Sequence, residues 1–231
     1  MGLPKINMPL YEVTIPSTKE TKTFRPFTVK EEKILLIANE SKDMGQVVLS
    51  LKQIINNCVN DVDVDQLATF DLEYLFLAIR AKSVDDNATF QITDPDTGEA
   101  VELSLNINDV KLTTPEEHNK IVEADENTHI VMRYPSIDDL KFLTSKTEAE
   151  AAFGVMVSCI ESIVSEDNIY KTEDFSEKEI TDFVDSLSNK TIKDMQKFFD
   201  TIPVLRYEIP YKTKDGADKT FVVEGMESFF M

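Results

Sequence analysis

Between residues 28 and 110 the spacing of the apolar side chains changes period, and that change restricts the fold more than any other feature of the chain. Val47, Val48, Leu51, Ile54 and Ile55 recur at helical spacing, as do Leu72, Leu75, Phe76 and Ile79. Thr89-Phe-Gln-Ile-Thr93 and Val101-Glu-Leu-Ser-Leu-Asn-Ile107 alternate instead, with the turn residues Asp94-Pro-Asp-Thr-Gly98 between them. A chain that runs helices first and a hairpin afterwards is expected to be α+β.

The rest of the sequence extends this pattern. Residues 9–27 alternate and carry prolines, which predicts a short β-hairpin or an extended lead-in. Thr28-Val-Lys-Glu31 has the form of a capping box, opening a helix to about Asn39 with Ile34, Leu35, Ile37 and Ala38 on its apolar face. Further helices are expected at about 45–57 and 72–81, and a strand over 129–134 that Pro135 ends. Beyond it the pattern predicts helices over 137–144, 148–165, 176–188 and 190–200, with Ser176-Glu-Lys-Glu179 as a second capping box. Val204 to Ile209 and Lys219 to Val223 predict a last hairpin around Lys214-Asp-Gly216, before an apolar tail, Met226-Glu-Ser-Phe-Phe230. The expectation is a helix-rich protein of two mixed lobes, each with helices and a β-hairpin. The first would span 1–135 with its hairpin near 89–107. The second would span 136–231 and be mainly helical, with its hairpin near 204–223. The two hairpins resemble each other in length and turn, but the sequences around them do not align, so no repeat is read.

Charge narrows the function. Among 231 residues, 43 are acidic and 24 basic, a formal net charge of −19. Such a chain is poorly suited to a nucleic-acid backbone or an anionic membrane surface, and well suited to a partner with a basic patch. Cys58 and Cys159 lie far apart in apolar, helix-like contexts, which reads as two core thiols in a reducing compartment rather than a disulfide. The longest apolar run, Ala151 to Ile160, is too short to span a bilayer, no stretch resembles a signal peptide, and Ile6 stands where a myristoylation motif after Gly2 needs Ser or Thr. A cytoplasmic protein is expected.

A search for chemistry finds none. The 6 glycines are scattered and assemble no phosphate-binding or nucleophile-elbow pattern. His118 and His129 lack the spacing of metal ligands and read as structural. Asp61, Asp63 and Asp65 match the first ligands of a calcium loop, but Gln66 replaces its glycine and Leu72 its bidentate Glu. No catalytic, cofactor or metal residue is assigned. The residues that stand out are aromatic and basic: Phe24, Arg25 and Phe27 in an extended segment, Arg80 and Lys82 at a helix end, and Phe229 and Phe230 near the C-terminus. They suit a role in the fold or at an interface.

Several of these segments, taken in order, resemble the T4-like phage baseplate hub assembly proteins. They are Ile15-Pro-Ser-Thr18 with Phe24-Arg-Pro-Phe-Thr-Val-Lys-Glu-Glu-Lys33, Asp71-Leu-Glu-Tyr-Leu-Phe-Leu-Ala-Ile-Arg-Ala-Lys-Ser-Val84, Met132-Arg-Tyr-Pro-Ser136, and Phe198-Phe-Asp-Thr-Ile-Pro203 with Gly225-Met-Glu-Ser-Phe-Phe230. In that family pattern a Cys-Pro pair stands where this chain has Asp94-Pro95, so no metal ligand carries over at that turn. The resemblance implies a non-enzymatic morphogenesis protein that promotes hub assembly by binding other baseplate hub or tail proteins, as a chaperone. The alternative is a permanent structural subunit of the tail. It would act in the host cytoplasm during assembly or in the virion baseplate, without a cofactor, and is compatible with homo- or hetero-oligomers.

Overall fold

The computed structural model describes residues 6–41, 44–84, 86–144 and 147–225. The chain is mixed α+β and divides into two compact units. Unit 1 comprises residues 1–113 and 204–231, and unit 2 comprises 114–203. A cut near residue 135 is therefore corrected: it would fall inside unit 2, just past a strand of that unit's sheet. The reason is a strand pairing that no local pattern announces.

Unit 1 opens with the hairpin β1 (Tyr11–Thr14) and β2 (Thr21–Phe24), followed by α1 (Val29–Ser41), α2 (Met44–Cys58) and α3 (Thr69–Ser83). Ala68, before α3, has no side-chain oxygen to cap the helix. Asp71 reaches back to accept the Ala68 N–H at 3.2 Å. The same carboxylate accepts the Ser17 N–H at 2.9 Å and the Ser17 hydroxyl, tying the first hairpin to α3. Next come the hairpin β3 (Asn87–Thr93) and β4 (Ala100–Asn106), and then β5 (Lys111–Thr113). The chain leaves for unit 2 and returns as the hairpin of β10 (Val204–Lys212) and β11 (Asp218–Glu224). β10 pairs antiparallel with β5, Val204 opposite Thr113 and Arg206 opposite Lys111, so the outgoing and returning strands lie side by side.

Alternation along the strands of both hairpins sends Leu103, Leu105, Leu205, Ile209 and Val223 inward, where they cluster with Leu51 of α2 and with Phe76 and Leu77 of α3. Asp94, at the turn between β3 and β4, is fully buried. It accepts the Asp96 and Thr97 N–H groups, the Tyr211 hydroxyl at 2.6 Å, and the Lys219 ammonium at 2.8 Å on both oxygens. These donors, led by Lys219, hold the carboxyl well below the usual carboxylate range. One buried anion thus locks two hairpins more than a hundred residues apart. Gly98 closes the turn at φ 69°, where a side chain would be strained.

Unit 2 contains a four-stranded antiparallel sheet in the order β6 (Ile121–Glu123), β7 (Thr128–Met132), β8 (Ile160–Ser165), β9 (Asn168–Lys171). A 3-10 helix (Ile137–Thr144) and α4 (Glu148–Ser158) lie between β7 and β8, and α5 (Glu177–Asp185) and α6 (Asn189–Asp200) follow. A single helix over 148–165 is thus corrected: it stops at Ser158 and β8 begins at Ile160. The apolar run gives no clue to that break. Isoleucine and valine at 160, 163 and 164 suit a strand, and pairing with β7 on one side and β9 on the other decides the outcome. The segment expected to be mainly helical thus also contributes two strands, β8 and β9, to a sheet. The core is formed by Val122, Ile130, Met132 and Ile160 of the sheet with Met156, Val184, Met195 and Phe198 of the helices. His118 sits beside it, 3.0 Å from the Thr201 hydroxyl and 3.0 Å from that of Tyr134, a structural position.

Leu205 is completely buried where β10 meets the core of unit 1. Leu205→Ala is expected to lower the unfolding free energy by about 2–5 kcal/mol, through lost burial and a residual cavity. Urea unfolding of the full chain measures this, and a loss under ~1 kcal/mol would mean that the returning strand is not part of the core.

Candidate interaction surface

Arg25 and Arg133 build the same device once in each unit. Each follows the last residue of the second strand of a hairpin, β2 or β7. The Arg25 N–H donates to the carbonyl of Cys58 at 2.9 Å, and the Arg133 N–H to that of Cys159 at 2.8 Å. Six residues on, a buried carboxylate meets the guanidinium. Glu31 is 1% exposed and Asp139 3%. Arg25 reaches Glu31 through Nη2 at 3.1 Å and Nη1 at 3.5 Å, and Arg133 reaches Asp139 through Nη1 at 2.8 Å and Nη2 at 2.9 Å. Three residues before each acid, a hydroxyl residue donates twice to it: Thr28 to Glu31 by its N–H and Oγ1, and Ser136 to Asp139 by its N–H and Oγ. Each guanidinium also donates to a backbone carbonyl of the following residue, Pro26 or Tyr134. Arg133 and Asp139 gain further bonds with Ser158 at the end of α4.

The clasp therefore joins a strand end, a helix start and the end of the second helix in both units. The shared signature is Arg, a hydroxyl residue three positions later, an acid three beyond that, and a cysteine at the end of the next helix. The resemblance between the two units lies here, since the hairpins β3–β4 and β10–β11 both belong to unit 1. It escapes sequence comparison because proline sits one residue after Arg25 and two after Arg133, and because one acid is Glu and the other Asp.

Burial would push the Glu31 and Asp139 carboxyls up, but the guanidinium and hydroxyl-residue donors outweigh it and hold each at about 2. Burial pushes the Cys58 thiol up to about 11 and the Cys159 thiol to about 12, so both stay protonated at neutral pH. The groups with the largest shifts are thus engaged in holding the fold.

The other residues singled out above have varied places. Phe24 is 2% exposed and lies 5.7 Å from the Tyr11 ring, and Phe27 is buried with its N–H bonded to Ser83 Oγ. Arg80 is half-buried on α3, and burial lowers its pKa. Lys82 is exposed, its ammonium 5.8 Å from the Tyr11 ring. Phe229 and Phe230 lie outside the described residues. In the acidic run, Asp63 accepts the Asp65 N–H and caps a 3-10 turn, while Asp65 pairs with Lys52. Among the described residues no group of acidic, His or Cys side chains could hold a metal, and no helix is long and apolar enough to cross a membrane.

Exposed apolar surface is where sequence reasoning fell short. On α1, Val29, Leu36 and Ile37 are well exposed, although Ile37 was expected on the inward face. On α4 the exposure is broader. Its sequence Glu-Ala-Glu-Ala-Ala-Phe-Gly-Val-Met-Val-Ser is mostly apolar, yet Met156 is its one fully buried residue. Two grooves flank it. One, of about 950 Å³, lies between α4 and α6, walled by Ala152, Val155, Ile192 and Phe199. The other, of about 480 Å³, is lined by Phe142, Val157, Phe175 and Ile180. Gly154 permits the close approach of the Phe142 ring, because a Cβ there would stand 2.5 Å from it. The high apolar content of 151–160 was the available signal, but it also fits a buried helix, and burial cannot be read from composition.

The family described as T4 bacteriophage base plate protein matches residues 8–231, and the chain belongs to that family. Within it the chain is similar to the baseplate hub assembly protein gp26 of Enterobacteria phage T4, with 26% identity over 210 residues, 89% of this chain and 90% of that protein. No solved structure matches. The chain is a phage protein with a baseplate-related role.

Arg133→Ala is expected to cost on the order of 3 kcal/mol, because it leaves Asp139 buried and unpaired. Replacing both members with apolar residues should recover much of that loss. Urea unfolding of the two variants provides the check, and equal losses would refute this account of the clasp. Acid should act on the same groups. Their folded pKa values are depressed, so their stabilisation is full above the ordinary values of 4.5 and 3.8 and is lost as pH falls toward about 2. Asp71 opposes this, since burial raises its pKa. Thermal midpoints should fall between about pH 5 and pH 3, and a flat profile there would mean that the clasps do not carry these shifts.

Proposed function

We propose that this chain is a non-enzymatic assembly factor that promotes formation of the baseplate central hub by binding hub components, as a chaperone does. The observation that carries the reading is the relationship to a hub assembly protein over nearly the full length of both chains. The surface is consistent with it. Exposed apolar residues on α1 and α4 offer area for a partner, and the net charge of −19 favours a partner with basic segments while resisting self-association. That charge equally disfavours nucleic acid and anionic membranes as partners. The non-enzymatic reading is supported by the state of the ionisable groups: the strongly shifted carboxylates are engaged in the two arginine clasps and the Asp94–Lys219 lock, and the thiols are protonated. The site of action would be the host cytoplasm during assembly.

A second reading, a permanent structural subunit of the baseplate, is favoured by the family description itself. Quantitative mass spectrometry of infected-cell lysate and purified virions separates the two. An assembly factor is expected in lysate and absent from virions. A fixed copy number per virion would overturn that reading in favour of the structural subunit.

A further inference from the structure

We propose that the groove between α4 and α6 receives an amphipathic α-helix of another baseplate protein, one with an apolar stripe flanked by lysine or arginine. The inference rests on the reading that this chain acts by protein binding, and it names the surface and the chemistry of the partner.

Both walls of the groove are helices, and each contributes a stripe at helical spacing. Glu148, Ala152 and Val155 line it on α4, and Ile192, Gln196 and Phe199 on α6, each set spaced i, i+4, i+7. At ~1.5 Å rise per residue each stripe is about 10 Å long, the length of two helical turns. Two parallel ridges with an apolar floor are the surface into which the ridge of a third helix packs. Ala152, small and exposed, allows close approach at the centre, where a long side chain would stand in the way. The space of about 950 Å³ is open along its length, as a helix requires, and is at the upper end of small-molecule pockets.

Charge selects among helices. The two ionisable residues of the lining, Glu148 and Asp200, are both acidic. On the other side of α4, the second groove has Glu173 and Glu177, and its cation Arg133 is already paired with Asp139. Unit 2 as a whole carries 20 acidic and 9 basic residues between 114 and 203, a net charge of −11 out of the chain's −19. A partner helix with basic flanks would bury its apolar stripe and meet carboxylates at the rim. A second copy of this chain would bring like charge to the same place.

The test places a photo-crosslinking amino acid at position 152 of the full chain in phage-infected cells, and in a parallel strain at exposed position 222 on β11. The expected result is a crosslink from 152 to another phage protein, within a peptide that has helical apolar spacing and net positive charge. That peptide, synthesised, should bind the purified chain, lose roughly tenfold or more in affinity to Ala152→Glu, and weaken as salt rises. Circular dichroism confirms that the variant is folded, since Ala152 is exposed. A crosslink from 152 to a second copy, to an acidic or non-helical segment, or to nothing would overturn the proposal. Crosslinking from 222 alone would remove the groove and leave the binding role intact. No crosslink from either position, with no phage protein co-purifying, would remove both.

Discussion

Each unit depends on one buried carboxylate held by a partly exposed arginine. A guanidinium and a carboxylate removed from water lose more solvation than their attraction returns, unless the remaining hydrogen-bond positions are also filled. Here they are filled by local backbone. The carboxylate takes the N–H and hydroxyl at the start of a helix, and the guanidinium takes the carbonyl next to it. Because the arginine backbone also bonds to the end of a later helix, three chain segments share one geometry. Loss of any participant leaves a buried polar group unsatisfied, so the arrangement is far more sensitive than a surface ion pair. Its occurrence in both units, with the same spacing from arginine to acid, indicates one local solution used twice.

Around these clasps the two units are completed by different means. Unit 1 closes with two hairpins on α3, locked by Asp94 in contact with Tyr211 and Lys219. Unit 2 closes with a four-stranded sheet that α4 and α6 cover only in part, so the helix richest in apolar residues keeps exposed faces. Isolated exposed hydrophobes are ordinary on protein surfaces, but a helix with a groove on each side is not. A protein of a baseplate family has a use for such a surface. The high acidic charge favours solubility and restricts which partners it attracts.

Local patterns were readable where local physics decides. Thr28 with Glu31 and Ser176 with Glu179 marked helix starts, and the structure begins α1 and α5 there. The apolar spacing of 45–57 and the alternation of 89–107 became α2 and the pair β3 and β4. The failures were non-local. The short strands β5, β6 and β9 have too few residues to show a period, and β8 continues an apolar run that begins as helix. Ile34, Leu35, Ile37 and Ala38 suggested one inward face, but Ile37 is left outside.

The sequence by itself determined the α+β class, most of the helices and hairpins, the acidic surface and the likeness to baseplate hub assembly proteins. All of these depend on neighbours along the chain or on composition. Tertiary structure alone decided that Arg25 and Arg133 would meet buried acids, that strand 204–212 would return to pair with 111–113, and that the most apolar helix would stay partly uncovered. Those outcomes are set by which distant segments compete for the same hydrogen bonds and the same buried area. That competition is resolved only when the whole chain is folded.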